Sequence, residues 1–293
     1  MQNENSLYKS ICILTCWYGQ YPWYFPYFIH SCSYNPSIDF IIITDNQELI
    51  HNKPENVKII YKTLDAIKST ASKKLGFKVS IAYPYKLNDF KPAYGFIFPE
   101  FIDGYDFWGH SDLDVIYGNI RNFLTNEMLS NYDFISLRHD YTTGCFCLYR
   151  NNETLNTYFK RSKDYCLILS DPKHYCFDEC SFLWDELKLG KSILEIESET
   201  QSFTHLMKAA ELSKEIRVHF DFILMEGKTG RIVFDKGRII YKKQFEAILY
   251  HLFWLKKVYS PEKVPQKIPK TYYISPTRIY HYRKNRTEVV ERK

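Results

Sequence analysis

Residues 107–118 read Phe107-Trp108-Gly109-His110-Ser111-Asp112-Leu113-Asp114-Val115-Ile116-Tyr117-Gly118. An apolar, aromatic run ends here in two carboxylates, Asp112 and Asp114, and a second apolar run follows. Side chains alternate along an extended backbone, so both acids are expected on one side of a strand, with His110 above them. Neighbouring carboxylates repel unless a positive charge lies between them, and a divalent cation commonly does. The stretch therefore predicts a strand that leads into a site for a metal-bound polyphosphate.

Strands and helices alternate on both sides of this stretch. Strands are predicted at residues 11–17, 39–44, 57–61, 106–109, 133–137 and 145–149. Helices are predicted at residues 64–79 (interrupted at Gly76), 119–129, 153–165, 178–189 and 244–257. Residues 231–234 and 238–241, joined by Asp235-Lys236-Gly237, predict a hairpin. This order predicts an α/β fold with a mainly parallel central sheet flanked by helices, followed by a C-terminal hairpin and helix extension.

The bulk composition excludes a disordered chain. Of 293 residues, 45% are hydrophobic and 17% aromatic, which is enough to build a sizeable core. Residues 1–6 are polar and lack a basic segment, and the apolar run 11–18 is too short for a signal sequence or a membrane span. The eight cysteines include no Cys-x-x-Cys pair, so we expect reduced, mostly buried thiols and a cytoplasmic protein.

Charge is distributed unevenly along the chain. The net charge is +5, but residues 256–293 carry 11 Lys/Arg against 3 Asp/Glu, or +8, which leaves −3 for residues 1–255. We therefore divide the chain into a domain of residues 1–255 and a basic tail of residues 256–293. The tail is expected either to lie on an anionic membrane surface, at the inner face of the cell membrane, or to be merely solvated. The acidic body without a recognition motif argues against nucleic-acid binding.

Two motifs resemble bacterial DXD-type glycosyltransferases of the GT-A fold, of the kind associated with capsule, exopolysaccharide or lipopolysaccharide gene clusters. The first is Tyr85-Lys86-Leu87-Asn88-Asp89-Phe90-Lys91-Pro92-Ala93-Tyr94-Gly95, and the second spans residues 104–120. Weaker likeness lies at residues 15–19, 44–46, 144–151, 177–179 and 249–252. The resemblance implies a GT-A-like, single Rossmann-type domain.

The same resemblance assigns a metal and a donor to the site. It implies that Asp112 and Asp114 bind Mn²⁺ or Mg²⁺ bridging the diphosphate of a nucleotide-sugar, a UDP-sugar being the expected donor, with Asp112 also near the ribose. His251 matches a late histidine that supplies a further metal contact, although residues 252–257 replace a more polar run. Alternatively, His251 lies on a helix face and has its hydrogen bonds satisfied within the protein, without binding a metal.

Further residues are expected around the donor. Lys86 and Lys91 would hold phosphate oxygens, and Asp89 would orient donor hydroxyls or Lys86; alternatively, Asp89 caps a helix that begins near Pro92. A second group would border the nucleotide, with Trp17 or Tyr18 stacked on the base and Asp45 bonded to it, or with both aromatic rings packed in the core. This second group is Thr15, Trp17, Tyr18 and Asp45.

The base for an acceptor hydroxyl is expected at Glu179, beside Asp178, because an inverting transfer needs a carboxylate or histidine near that hydroxyl. Alternatively, Asp178 caps a helix and Glu179 is a first-turn acid. A retaining enzyme needs no such base. His139 and Asp140 are weaker candidates for the acceptor site.

These features predict a metal-dependent glycosyltransferase of the hexosyltransferase type. It would transfer a sugar from a nucleotide diphosphate donor to a glycan or lipid-linked acceptor in bacterial surface polysaccharide synthesis. Two alternatives remain. One is a metallophosphoesterase, which would require further histidine-rich metal loops that the sequence lacks. The other is a catalytically inactive nucleotide-sugar-binding partner in a polysaccharide assembly complex.

Overall fold

The computed structural model describes residues 8–281. Its strands are β1 (Ile11–Trp17), β2 (Ile38–Thr44), β3 (Val57–Tyr61), β4 (Phe107–Ser111), β5 (Val115–Tyr117), β6 (Phe134–Ser136), β7 (Phe146–Arg150), β8 (Val218–Phe220), β9 (Ile232–Asp235), β10 (Arg238–Tyr241), β11 (Phe245–Ala247), β12 (Leu249–His251), β13 (Thr271–Ile274) and β14 (Ile279–Tyr280). Its α-helices are α1 (Phe25–Cys32), α2 (Leu64–Leu75), α3 (Tyr94–Ile97), α4 (Pro99–Ile102), α5 (Asn126–Asn131), α6 (Glu153–Thr157), α7 (Tyr165–Ser170), α8 (Trp184–Lys188), α9 (Phe203–Ser213) and α10 (Leu255–Val258). Short 3-10 helices cover Pro84–Ala93, Ile120–Asn122, Tyr158–Arg161 and Ile193–Glu195.

A seven-stranded sheet in the order β3-β2-β1-β4-β7-β6-β8 forms the centre of the molecule. Strands β3, β2, β1 and β4 run parallel, as do β6 and β8, whereas β7 is antiparallel to both of its neighbours. The predicted α/β class with a mainly parallel central sheet is confirmed. Because β7 runs against β4, the start of β7 lies at the same edge as the end of β4, with Phe146 opposite Ser111.

Both faces of this sheet are covered, which explains why its first strands are continuous apolar runs. In β1, Ile11 and Ile13 pack into one hydrophobic cluster, and the alternating Cys12 and Leu14 pack into a second cluster on the other face. Burying a side chain of this size contributes about 1.5–3 kcal/mol. Hydrophobic packing therefore stabilises the sheet on both faces. Its polar side chains can reach a ligand at the edge where the strands end.

A five-stranded antiparallel sheet, β11-β10-β9-β13-β14, forms the second layer. The predicted hairpin is confirmed: it consists of β9 and β10, which lie in the middle of this sheet. Helix α1 packs against this sheet, with the rings of Tyr27 and Tyr272 at 5.4 Å and those of His30 and Phe234 also at 5.4 Å. The predicted boundary at residue 255 stays a prediction: β13 and β14 belong to this sheet, and residues 282–293 of the proposed tail lie outside the described residues.

The helix predicted at residues 244–257 is wrong. Strands β11 and β12 lie in its first part, and only Leu255–Val258 is helical. Leu249 and Tyr250 are consecutive and both fully buried, as in a short strand covered on both faces, and periodicity alone cannot separate such a run from a buried helix. The change matters because β12 pairs with β5, which places His251 opposite Val115.

The helix predicted at residues 178–189 is also wrong, because only Trp184–Lys188 is helical. Ser181 and Phe182 adopt φ values of 51° and 66°, and two consecutive left-handed residues cannot continue a right-handed helix. Asp178 therefore caps no helix, and Glu179 lies in no first turn.

Three other predicted helices are shorter than expected. The helix predicted at 64–79 ends at Leu75, with Gly76 in the left-handed conformation at φ 80°. The one predicted at 119–129 is divided, because Thr125 is extended and caps α5 by accepting a hydrogen bond from the Met128 amide at 3.2 Å. The one predicted at 153–165 ends at Thr157 and continues as a 3-10 helix.

No helix between residues 8 and 281 combines the length and apolar character that crossing a membrane requires.

Gly109, in the middle of β4, offers a test of the central sheet. A Cβ at this position would lie 2.5 Å from the Cys147 carbonyl oxygen and 2.9 Å from Cδ1 of Ile13. Since the first contact is backbone in the neighbouring strand, Gly109→Ala is expected to destabilise the protein by about 1–3 kcal/mol. Urea unfolding measures the change.

Gly190→Ala is the control, because Gly190 has φ 81° and open space around its missing Cβ. It reports only the cost of a left-handed alanine, about 1–2 kcal/mol. Unchanged stability in Gly109→Ala would contradict the β4–β7 packing described here.

Candidate functional site

Asp112, Asp114 and His251 come together at the end of the central sheet. Strand β4 ends at Ser111, and the next residues bend before β5, where antiparallel pairing with β12 brings His251 alongside. One ligand atom from each of the three side chains lies within 4.8 Å of the others, and Asp114 Oδ2 is 3.4 Å from His251 Nε2. Two carboxylates and an imidazole fit a divalent cation such as Mn²⁺ or Mg²⁺. Among residues 8–281, these are the three metal-ligating side chains that lie close enough together to hold a metal ion.

His110 does not belong to this group. Its Nε2 lies 3.1 Å from the Thr143 carbonyl oxygen and its Nδ1 lies 3.3 Å from the Tyr149 hydroxyl, inside the core. Burial lowers the pKa of His110 to about 3, so it is a neutral structural histidine. The expectation that His110 and both aspartates line one side of a strand is wrong, because the strand ends before Asp112.

Lys256 is a cation of the site that the sequence reasoning missed. Its Nζ lies 2.5 Å from Asp114 Oδ2, and about a third of its side chain is exposed. Burial raises the pKa of Asp114, but the neighbouring His251 and Lys256 outweigh it, and the pKa lies below its usual range. No local sequence signal identifies it, because Lys256 and Asp114 are 142 residues apart along the chain.

A second missed residue, Glu226, lies behind His251. Its Oε2 is 3.6 Å from His251 Nδ1, and its other oxygen pairs with Arg138. Arg138 also binds Asp140 through two hydrogen bonds of 2.8 and 2.7 Å. Asp140 is therefore engaged in an ion pair, and the assignment of His139 and Asp140 to an acceptor site stays a prediction.

Lys91 joins Asp112 to a second acidic pair, which consists of Asp178 and Glu179. Its buried Nζ donates to Asp112 Oδ1 at 2.7 Å and to the Gly144 carbonyl at 2.8 Å, and it lies 3.3 Å from Asp178 Oδ2. Burial lowers the pKa of Lys91, but Asp112 and Asp178 outweigh it and raise the pKa above its usual range. The lysine is thus held charged between the two acids.

Asp178 and Glu179 approach the backbone at Gly144 so closely that no side chain fits there. A Cβ on Gly144 would lie 2.7 Å from Asp178 Oδ2 and 2.8 Å from Glu179 Oε1. Glu179 accepts hydrogen bonds from the Gly144 amide at 2.9 Å and from Trp184 Nε1 at 3.0 Å. Burial raises the pKa of both acids, that of Asp178 to about 7 with help from the charge of Glu179 and against Lys91.

Lys86 and Asp89 are completely buried and bond to each other at 2.8 Å. Lys86 also donates to the carbonyls of Ile168 and Lys173, and Asp89 accepts from the amides of residues 175 and 177 at 2.9 Å each. The pair therefore fixes the backbone directly before Asp178. Asp89 lies inside the 3-10 helix rather than at a cap, and direct contact of either residue with a donor stays a prediction.

The residues expected around the nucleotide lie at the ends of β1 and β2. Asp45 Oδ1 accepts from the Gly19 amide at 3.1 Å, so it ties together the loops that follow the two strands. Thr15 and Tyr18 are buried, whereas Trp17 is partly exposed and bonds to a carbonyl in its own loop. Their nucleotide contacts stay predictions.

The buried Lys86–Asp89 pair generates a stability prediction. Lys86→Met leaves the Asp89 carboxylate without its lysine, and breaking a buried pair costs about 3–5 kcal/mol. Lys173→Met is the matched control, because its ammonium makes an exposed pair with Glu199 that contributes little to stability. Equal loss of stability in the two variants, measured by urea unfolding, would contradict the assignment.

Asp178 generates a pH prediction. Between about pH 4 and pH 7 the unfolded chain has released this proton while the folded chain keeps it, so the contribution of Asp178 to stability falls as pH rises through that window. Asp178→Asn removes the titration, and it should stabilise the protein by roughly 2–3 kcal/mol more at about pH 8 than at about pH 5. Thermal unfolding in EDTA at both pH values measures the difference; a larger gain at the lower pH would refute it.

The chain was compared with curated proteins, with solved structures and with protein families. No curated protein matches it. The solved structures that resemble it include galactosyltransferase LgtC with donor and acceptor sugar analogues, at 11% identity and TM-score 0.36 over 73% of this chain and 75% of that one. Mouse xyloside xylosyltransferase 1 has 11% identity and TM-score 0.44, over 83% and 97% of the two chains. The glycosyltransferase GlyE of Streptococcus pneumoniae TIGR4 has 10% identity and TM-score 0.35, over 72% and 45%.

At these identities and TM-scores, the likenesses carry no argument about activity. The match to a sequence family is far more extensive, because it covers residues 13–283, nearly the whole chain. The protein therefore belongs to DUF6625, a family of unknown function.

Proposed function

We propose that this protein is a metal-dependent glycosyltransferase that moves a sugar from a nucleotide diphosphate donor to a hydroxyl of a carbohydrate acceptor. The observation that carries the proposal is the convergence of Asp112, Asp114 and His251 at the sheet edge, with Lys256 beside them. A divalent cation and a lysine in one place suit a diphosphate leaving group, on which negative charge develops during transfer. The two sequence motifs that resemble DXD-type glycosyltransferases meet at this same place.

Asp112, Asp114 and His251 would hold the cation, and their mixed oxygen and nitrogen donors suit Mn²⁺ or Mg²⁺. When bound, the ion would supply positive charge against the diphosphate of the donor. Lys256 is the residue placed to donate to a phosphate oxygen, because its flexible, partly exposed side chain already reaches the site. Lys91 would act through Asp112, which it holds by a 2.7 Å hydrogen bond.

The second acidic pair would act on sugar hydroxyls. Glu179 Oε1 accepts one hydrogen bond, from the Gly144 amide, and retains a lone pair for a further donor. Oε2 already accepts from Trp184 Nε1 and from Cys176 Sγ. The raised pKa of Glu179 suits a carboxylate that takes a proton from an acceptor hydroxyl, as inverting transfer requires. Asp178, held by Lys91, would orient a hydroxyl of the transferred sugar.

The finer assignments are part of the proposal and rest on the sequence resemblance. The donor would be a UDP-sugar carrying a hexose, and the acceptor a glycan or lipid-linked saccharide of bacterial surface polysaccharide. The basic tail would keep the enzyme at the inner face of the cell membrane, in contact with anionic lipid. We place the protein in the cytoplasm and assign it no nucleic-acid partner.

The alternatives are less favoured. A metallophosphoesterase needs two adjacent metal sites, and residues 8–281 contain a single group of three metal-ligating side chains. An inactive nucleotide-sugar-binding partner would share the donor site, so turnover decides between it and an enzyme.

Turnover of UDP-hexoses tests the proposal. The wild type is expected to release UDP with Mn²⁺ and to lose at least about 100-fold in rate with EDTA, because neutralisation of the leaving group supplies several kcal/mol. Asp114→Ala should lose activity to the same extent. Asp185→Ala removes a highly exposed carboxylate outside the site and should keep the wild-type rate.

Full activity in EDTA, or full activity in Asp114→Ala, would sink the metal mechanism. Donor binding in the presence of Mn²⁺ without any turnover of donor, alone or with saccharide acceptors, would favour the inactive partner.

A further inference from the structure

Four aromatic rings form a continuous arc beside the second acidic pair. Tyr85 packs edge-to-face on His174 at 4.9 Å, His174 on Phe182 at 5.6 Å, and Phe182 on Trp184 at 5.5 Å. These rings come from three separate segments of the chain, so the tertiary fold assembles the arc. Aromatic pairs at these distances contribute specific attraction beyond the area that they bury, so the arrangement is held together.

One end of the arc contacts the second acidic pair, and the other end feels its charge. At one end, Trp184 Nε1 donates to Glu179 Oε2 at 3.0 Å. At the other end, burial and the negative charges of Asp178, Asp112 and Glu179 raise the pKa of the Tyr85 hydroxyl to about 12. The arc therefore runs from Trp184, which is bonded to Glu179, through Phe182 and His174 to Tyr85.

The middle of the arc is rigid, whereas two of its rings face solvent. His174 is largely buried and its Nδ1 lies 3.1 Å from Asp89 Oδ1, so it is anchored to the buried Lys86–Asp89 pair. Tyr85 and Phe182 are 63% and 48% exposed. Phe182 is held outward by its left-handed backbone, a conformation that costs a non-glycine residue about 1–2 kcal/mol. Exposed rings on a fixed backbone, next to a carboxylate, suit a ligand with both apolar and hydroxyl surfaces.

We propose that this arc of Tyr85, His174, Phe182 and Trp184 is the binding subsite for the acceptor saccharide. A sugar ring is amphipathic: its C–H face packs on an aromatic ring, and its hydroxyls donate to carboxylates. A pyranose stacked on Phe182 and Tyr85 would present a hydroxyl to Glu179, whose Oε1 accepts a single hydrogen bond from the protein. The assignment of this saccharide as an acceptor rests on the proposed glycosyl transfer; the binding of a saccharide does not.

Saturation-transfer difference NMR with methyl glycosides of glucose, galactose and mannose tests the subsite without any donor. We expect saturation of the ring C–H protons of at least one of these glycosides in the wild type. Phe182→Ala should weaken its binding by about five-fold or more, because the main stacking surface is lost. Phe182 is half exposed, so this variant is expected to fold. Phe245→Ala, which removes a 60% exposed ring from β11 outside the arc, is the matched control and should bind as the wild type does.

Asp114→Ala separates this inference from the proposed function. That variant is expected to lose donor turnover and to keep glycoside binding. Absence of saturation transfer for all three glycosides in the wild type, or equal binding in Phe182→Ala, would overturn the subsite even if donor turnover depends on metal. Conversely, glycoside binding lost in Phe182→Ala, in a protein that never turns over a donor, would support the saccharide site and reject glycosyl transfer.

Discussion

The buried ammonium of Lys91 is the interaction on which the candidate site depends. It lies between Asp112, which follows the central strand, and Asp178, which belongs to a loop more than sixty residues later, and it also bonds to the Gly144 carbonyl. Two carboxylates brought close together in a buried place repel each other when both are ionised. A cation fixed between them removes that repulsion, and the short 3-10 helix Pro84–Ala93 is the element that delivers it. The two acidic centres can therefore share one edge of the sheet.

The loop that carries the second acidic pair, Asp178 and Glu179, is held by contacts both before and after these two residues. Before it, the buried Lys86–Asp89 pair bonds to the backbone of residues 173–177. After it, Trp184 donates to Glu179. Gly144 completes the enclosure, because only a residue without a side chain allows both acids to approach its backbone. A buried ion pair contributes little net stability, so its value here is better understood as fixing one conformation of an otherwise irregular loop.

Sequence reasoning succeeded where the physical signal is local. Strands β1 and β3 were located with their observed bounds because their apolar, β-branched runs are bounded by polar residues, and the two aspartates were found from their place at the end of such a run. It failed where distant contacts decide. His251 was expected on a helix and lies on a strand that pairs with β5, and the neighbours Glu226 and Lys256 are more than a hundred residues from Asp114 along the chain. No local pattern encodes a partner at that separation.

The two acidic centres are suited to different tasks by the kind of partner that each receives. Asp114 has cationic neighbours, Lys256 among them, and its pKa is depressed, as befits a carboxylate that must stay ionised to hold a cation. Glu179 is bonded by neutral N–H groups, including that of Trp184, and burial leaves its pKa raised. An arginine in place of that tryptophan would hold the carboxylate ionised and make it a weak proton acceptor. Environments that separate the pKa values of neighbouring acids are how one site combines charge stabilisation with proton transfer. In the function proposed above, Trp184 would serve the second task, because its neutral N–H group binds Glu179 without holding it ionised.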